Sequence, residues 1–226
     1  MRLSILLRDG FTALDIVGGY EVLANLPGMD VEFVAPAAGL VWADTRRLAL
    51  QAWRTYAQAD ATDILYVPGG PGVKPGLDDA ELMATIVRLH KASTWTVGIC
   101  NGVEWLGKAG VILGKEVTTN WACREAVAAY GAKVNNQRYH RDGKIVTGAG
   151  VSASIDASLF LAGILAGEDV AKTLQLGIEY YPAPPFGNGT PDDAPATAQA
   201  LVRQFEAAGP RRIQALASSI PQVSNQ

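Results

Sequence analysis

Cysteine and histidine are scarce, with two of each among 226 residues. Cys100 and Cys123 can make one disulfide at most, so no disulfide framework is available to hold the chain together. His90 and His140 stand far apart and match no metal-ligand spacing; both are expected at the surface, and neither metal nor cofactor is expected. Charge is sparse as well: 18% of residues are charged, the net charge is −3, and lysine and arginine form no cluster. That pattern excludes the electrostatic footprint of a nucleic-acid or anionic-membrane binder. No stretch reaches the roughly 18 uninterrupted apolar residues of a membrane span. The apolar run near the start is interrupted by Arg8 and Asp9, too early for a signal peptide. A cytoplasmic protein with free cysteines and a small-molecule ligand is the expectation.

What is plentiful is apolar character, 49% of the chain, enough to bury a large core within one domain. The chain is organised around Gly98-Ile99-Cys100-Asn101-Gly102. Residues 94–99 form a β-branched apolar run that reads as a buried strand, and residues 101–109 read as a helix closed by Gly110. Cys100 sits at the joint. A strand that turns directly into a helix forces an unusual backbone conformation on the joint residue and projects its side chain from the carboxyl edge of the sheet. The adjoining helix start offers free N–H groups that favour thiolate over thiol. A buried structural cysteine is the commoner fate of a free thiol. The flanking glycines favour a nucleophile elbow instead, because a tight strand-to-helix turn needs small neighbours.

Taken in order, residues 2–7 predict a strand and residues 12–26 a helix weakened by Gly18-Gly19. Strands follow at 31–35 and 63–67, with a short hairpin or edge element over 41–52 between them. Residues 78–92 predict an outer helix, 115–119 a short strand, and 120–130 a helix capped by Asn120. Asp142-Gly143 marks a hairpin over 139–147, and helices are expected at 152–166 and 168–180. A proline- and glycine-rich loop over 182–195 precedes a helix at 196–208 and a weakly helical tail. Strands alternating with helices predict an open, mostly parallel α/β sheet with helices on both faces and a ligand site at the carboxyl ends of its strands. Residues 1–195 form the domain in this reading, and residues 196–226 pack on it or trail from it.

Three loops meet at that edge: residues 9–15, residues 68–72 and the elbow. A thiolate nucleophile needs a partner that manages protons and donors that stabilise charge. Neither histidine lies at a strand end, but Asp15 does. A carboxyl group beside a thiolate is pushed toward its protonated form and can then deliver a proton. On sequence alone Asp15 reads equally well as a helix cap. Gly69-Gly70 offers backbone N–H groups or a plain turn, and Asn101 offers the N–H at the helix start. Gly148-Ala149-Gly150-Val151-Ser152-Ala153 has the form of a dinucleotide fingerprint, but the acids about 20 residues on, Glu168 and Asp169, begin a helix rather than end a strand. Trp42, Trp53, Trp105 and Trp121 are candidates for an apolar pocket or for core.

With Asp15, PGGPGV from Pro68, GICNGVEWLGKAG from Gly98, TTNWACREAV from Thr118, TGAGVSASID from Thr147 and EYYPAPPFGNGTPDDAP from Glu179, the sequence resembles the DJ-1/PfpI superfamily and within it the isocyanide hydratases. The resemblance implies a flavodoxin-like fold, Cys100 as nucleophile, Asp15 hydrogen-bonded to it, Gly70 and Asn101 as backbone donors, and a substrate pocket at Asn120, Trp121 and Gly150. It also implies a homodimer, for which Gly18-Gly19 offers a small-residue surface. The activity implied is hydration of an isocyanide to an N-substituted formamide through a covalent thioimidate. A glyoxalase-like reaction on small carbonyl compounds and a non-enzymatic oxidative-stress sensor are the alternatives. Asn101 stands where the isocyanide hydratases resemble one another in threonine, and Asn120 where histidine is usual. The protease-like branch carries histidine directly after its cysteine; Asn101 cannot serve as that base, which removes peptide hydrolysis. Only about 30 residues follow Pro195, too few for a DNA-binding module.

Overall fold

The computed structural model describes residues 1–219. The strands in chain order are β1 (Arg2–Leu6), β2 (Asp30–Ala35), β3 (Gly39–Trp42), β4 (Ala49–Ala52), β5 (Arg54–Thr55), β6 (Ile64–Val67), β7 (Trp95–Ile99), β8 (Glu116–Val117), β9 (Lys133–Val134), β10 (Tyr139–Asp142) and β11 (Ile145–Gly148). The helices are α1 (Ala13–Leu23), α2 (Val73–Gly76), α3 (Ala80–Ala92), α4 (Val103–Lys108), α5 (Arg124–Ala128), α6 (Ala153–Ala166), α7 (Glu168–Gly177) and α8 (Ala196–Ser219). Seven strands form one sheet in the order β10-β11-β7-β6-β1-β2-β5. All pairings in it are parallel except that of β10 with β11. The expected doubly covered, mostly parallel sheet is therefore present.

Strand periodicity divides the core into two layers. Side chains alternate across a pleated strand, so Leu3, Ile5, Tyr66, Val97 and Ile99 face α1 and α6, while Leu6, Leu65 and Val67 face α3 and α4. Every residue of β6 and β7 is buried, which explains their continuous apolar character. The carboxyl ends of β1, β6 and β7 are thereby fixed from both faces, and the loops that leave them inherit that rigidity.

Several elements depart from the sequence expectation. The strand expected at 115–119 is the two-residue β8, which pairs with β9 outside the main sheet. The helix expected at 120–130 divides into a 3₁₀ turn, Trp121–Cys123, and α5, with Asn120 as the expected cap: its Oδ1 accepts from the Ala122 N–H at 2.8 Å. The helix expected to 208 and the start of the weakly helical tail form one continuous helix through Pro210 to Ser219. Proline lacks the N–H that would bond to Glu206 O, so the helix passes Pro210 without that hydrogen bond. Gly209 lies close against Pro71, where a Cβ would come within 2.7 Å of the proline ring. Of the expected tail, residues 220–226 lie outside the described residues.

Gly18 and Gly19 do not form an outward surface. A Cβ on Gly18 would strike Ser154 Oγ of α6, and one on Gly19 would strike the Tyr66 hydroxyl, so the pair lets α1 pack against its own chain. The histidines are not fully at the surface either. His90 is part-buried against β7, with Nδ1 2.8 Å from Thr96 Oγ1, and burial pushes its pKa down to about 4. His140 is also part-buried, with Nδ1 2.9 Å from Gln137 Oε1.

Candidate active site

Backbone geometry at the end of β7 makes the elbow. Ile99 is extended at φ −116°, and Cys100 turns to φ 57° before the 3₁₀ turn Cys100–Gly102 leads into α4. A non-glycine residue in this left-handed region costs of order 1–3 kcal/mol and persists only where its surroundings hold it. Two contacts do so here: Thr119 Oγ1 donates to the Cys100 carbonyl at 2.7 Å, and Gly102 packs directly on the backbone of Pro68. Sequence reasoning missed Thr119, although it lies inside the TTNWAC motif.

Asp15 enters from the first turn of α1 and is fully buried. It is not the cap of that helix: the N-cap position is Thr12, and no side chain caps there. Instead Asp15 Oδ2 accepts the Gly69 N–H at 2.8 Å, across from the loop after β6. Asp15 Oδ1 has no such partner, and the Cys100 thiol is the one side chain that acts on the carboxyl as a hydrogen-bonding group. Gly69 is required by this crowding, since a Cβ would lie 2.9 Å from both Asp15 Oδ2 and Cys100 Cβ. The capping alternative for Asp15 is therefore set aside.

Burial dominates the electrostatics of the pair. Desolvation raises the Asp15 pKa to about 7, against the lowering effects of the Gly69 and Cys100 hydrogen bonds. Desolvation and the charge of Asp15 push Cys100 up as well, opposed by hydrogen bonds from the Asn120 amide and the Asn101 N–H. Burial and the Asp15 charge thus oppose the preference for thiolate expected from the helix start. Burial therefore disfavours the doubly charged pair, Asp15 carboxylate beside Cys100 thiolate.

The expected donors divide. The Asn101 N–H does address the sulfur. The Gly70 N–H does not reach it: this N–H donates to Asn101 Oδ1 at 2.7 Å, while Asn101 Nδ2 donates back to the Gly70 carbonyl at 3.1 Å. Asn101 thus clamps the glycine loop to the elbow with the pairing pattern of a short strand ladder, and Gly70 is positioned rather than free. Asn120 Nδ2 lies 3.5 Å from Cys100 Sγ, and Gly150 flanks it, where a Cβ would sit 3.9 Å from that nitrogen. Trp121 is half-buried beneath the Arg203 guanidinium, 4.6 Å from its ring centroid.

The tryptophans do not share a pocket. Trp105 is core and donates to the Val73 carbonyl at 2.9 Å, Trp53 is 77% exposed, and Trp42 lies beside Arg46. The cavity next to the elbow, about 320 Å³, is instead lined by Lys74, Asn101, Cys123, Arg203 and Glu206 among others. Cys123 faces the buried Glu104, whose Oε2 pairs with Lys74 Nζ at 2.5 Å. Burial and these carboxylates push the Cys123 thiol up to about 12, which makes it a poor nucleophile. No group of histidine, cysteine and acidic residues among the described residues has the arrangement of a metal site.

An open parallel sheet with a cysteine elbow at its carboxyl edge, and a buried carboxyl delivered from the helix after β1, define a class, and the comparisons with known proteins name it. The chain belongs to the DJ-1/PfpI family, whose model matches residues 1–162. It is 37% identical over 202 residues to the isonitrile hydratase of Pseudomonas putida, covering 87% of this chain and 86% of that protein. A crystal structure of a ThiJ/PfpI family protein from Pseudomonas syringae superposes with a TM-score of 0.87 at 31% identity, over 96% of this chain and 90% of that one. The crystal structure of Drosophila melanogaster DJ-1beta shares the fold, with a TM-score of 0.70 at 19% identity over 80% of this chain and 98% of that one.

Proposed function

We propose that the protein hydrates an isocyanide to the N-substituted formamide, with Cys100 as nucleophile and Asp15 as the group that manages the proton. The observation that carries this reading is the buried Asp15–Cys100 pair, whose carboxyl is raised to about 7 and so holds a transferable proton at neutral pH. An isocyanide carbon is both electrophile and, once attacked, proton acceptor. Sulfur adds to the terminal carbon while the proton shared with Asp15 passes to that same carbon, giving the thioimidate R–N=CH–S. Water then adds to the carbon and the thiolate leaves, giving R–NH–CHO and returning the proton to the pair. The amide of Asn120 and the N–H of Asn101 stabilise the anionic sulfur before attack and on departure. No external cofactor enters the balance. The similarity to the isonitrile hydratase of Pseudomonas putida supports the substrate class. The burial of Cys100, 5% exposed, weighs against a sensor that works through an open thiolate. The test is direct: purified protein with a simple aryl or alkyl isocyanide should consume it and release one equivalent of formamide, and absence of turnover across several isocyanides contradicts the reading.

The protein is also proposed to act as a homodimer in the cytoplasm. Leu176 on α7, Tyr181 and Phe186 on the loop after it, and Leu201 and Phe205 on α8 are all more than half exposed on the single chain, apolar surface of the kind a partner covers. Light scattering should give a mass near twice the 23.8 kDa of the chain, and a monomer mass at micromolar concentration contradicts it.

A further inference from the structure

One side chain beside the elbow that neither the proposed chemistry nor the sequence motifs use is a carboxyl group from the last helix. Glu206 projects from α8, roughly a hundred residues beyond Cys100 in sequence, and its Oε1 accepts from Asn120 Nδ2 at 3.2 Å. The other acceptor at that nitrogen is Cys100 Sγ at 3.5 Å. An amide nitrogen carries two hydrogens, and here two acceptors face it. The opposite end of the same amide is fixed, because Asn120 Oδ1 accepts the Ala122 N–H at 2.8 Å. Three contacts thus determine the rotation of one side chain, and the one supplied by Glu206 is the only one from outside the 118–123 loop and the elbow.

We infer that Glu206 is a positioning residue: its carboxyl holds the Asn120 amide in the orientation that presents an N–H to the Cys100 sulfur, and so links the docking of α8 to the reactivity of the thiol. The helix is seated for this purpose by Arg203 over the Trp121 ring and by the close approach of Gly209 to Pro71. Around Glu206 the charged groups are Arg203 on its own helix, Lys74 and Glu104. Burial pushes its pKa up, and the Asn120 hydrogen bond, Arg203 and Lys74 oppose this. The inference rests on the proposed function only in taking Cys100 as the reacting thiol. Alkylation serves as the readout so that hydration and positioning can fail separately.

The experiment follows carboxamidomethylation of Cys100 by iodoacetamide as a function of pH, read by peptide mass spectrometry so that Cys123 does not contribute. Glu206→Ala frees the amide to rotate, so Cys100 should react about three- to tenfold more slowly near neutral pH, the scale of one ordinary hydrogen bond weakened rather than removed, with the pH midpoint displaced upward. Glu206→Gln keeps an acceptor oxygen and should stay within about twofold of the unmodified protein. In an Asn120→Ala background Glu206→Ala should add nothing, because the group it acts through is gone. An unchanged or faster reaction in Glu206→Ala, or an equal slowing with Asn120 already replaced, overturns the inference and leaves α8 as a cover only.

Discussion

Cys100→Ser should lower isocyanide hydration on the order of 10³-fold or more while the protein stays folded. Serine keeps the shape at the left-handed position and can accept the same donors, so the elbow closes as before. What it lacks is an acid weak enough to hold its proton in the resting pair yet strong enough to yield an anion to an isocyanide carbon. A thiol pushed up by burial and by Asp15 still ionises far more readily than an alcohol in the same place. Cys123→Ser is the matched control. That thiol is held high against Glu104, takes no part in the dyad, and its loss should leave turnover within about twofold. Initial rates on one isocyanide, with circular dichroism to verify folding, distinguish the two. A dead Cys123 variant beside a live Cys100 variant contradicts the assignment.

Asp15→Asn should cost rate by roughly 10²- to 10⁴-fold, the usual contribution of a general acid. Asparagine can still accept the Gly69 N–H and donate toward the sulfur, but it cannot release a proton to the isocyanide carbon. The same substitution should change stability with a definite sign. The folded-state pKa of Asp15, about 7, lies above its ordinary 3.8, so the folded state binds more protons than the unfolded state between those values. Stability associated with this group is therefore fully present below about pH 4 and is lost as pH rises through about 7. Replacing the group by a neutral amide removes that loss, and the variant should gain on the unmodified protein from pH 4 to pH 8, by about 4 kcal/mol at most. Thermal unfolding across that range, paired with turnover, checks both. Turnover within about threefold of the unmodified protein rules out Asp15 as the proton donor, and a stability difference independent of pH rules out a raised carboxyl.

The sheet was legible because its strands are short apolar runs with turn residues at both ends, and burial on two faces leaves no ambiguity of period in β6 and β7. The elbow was legible for a related reason: Gly98 and Gly102 mark close approaches that only small residues allow. Local signals stop there. Asp15 could be read as a cap until the Gly69 N–H, 54 residues away, was seen to claim its oxygen. The Gly70 donor was misassigned because nothing in a glycine pair tells which N–H is already taken, and the taker, the Asn101 side chain, lies 31 residues on. Gly18-Gly19 announced a close approach correctly but not its partner, which is α6 and Tyr66 of the same chain. Glu206 carried no signal at all. It sits mid-helix among other charged residues, and its importance comes from the tertiary placement of α8, which local propensity does not encode.

Covalent attachment of the substrate to Cys100 is the step on which the proposed reaction turns, and rapid acid quenching of the protein during turnover of an aryl isocyanide reads it directly. The thioimidate adds the whole isocyanide to the thiol with nothing lost, so the expected peptide spectrum shows the Cys100 peptide heavier by the full mass of the substrate, at a level that falls once the isocyanide is exhausted. Cys123 should carry no adduct. Formamide accumulating while Cys100 stays unmodified at every quench time, or accumulating at an undiminished rate in Cys100→Ser, contradicts covalent catalysis at the elbow.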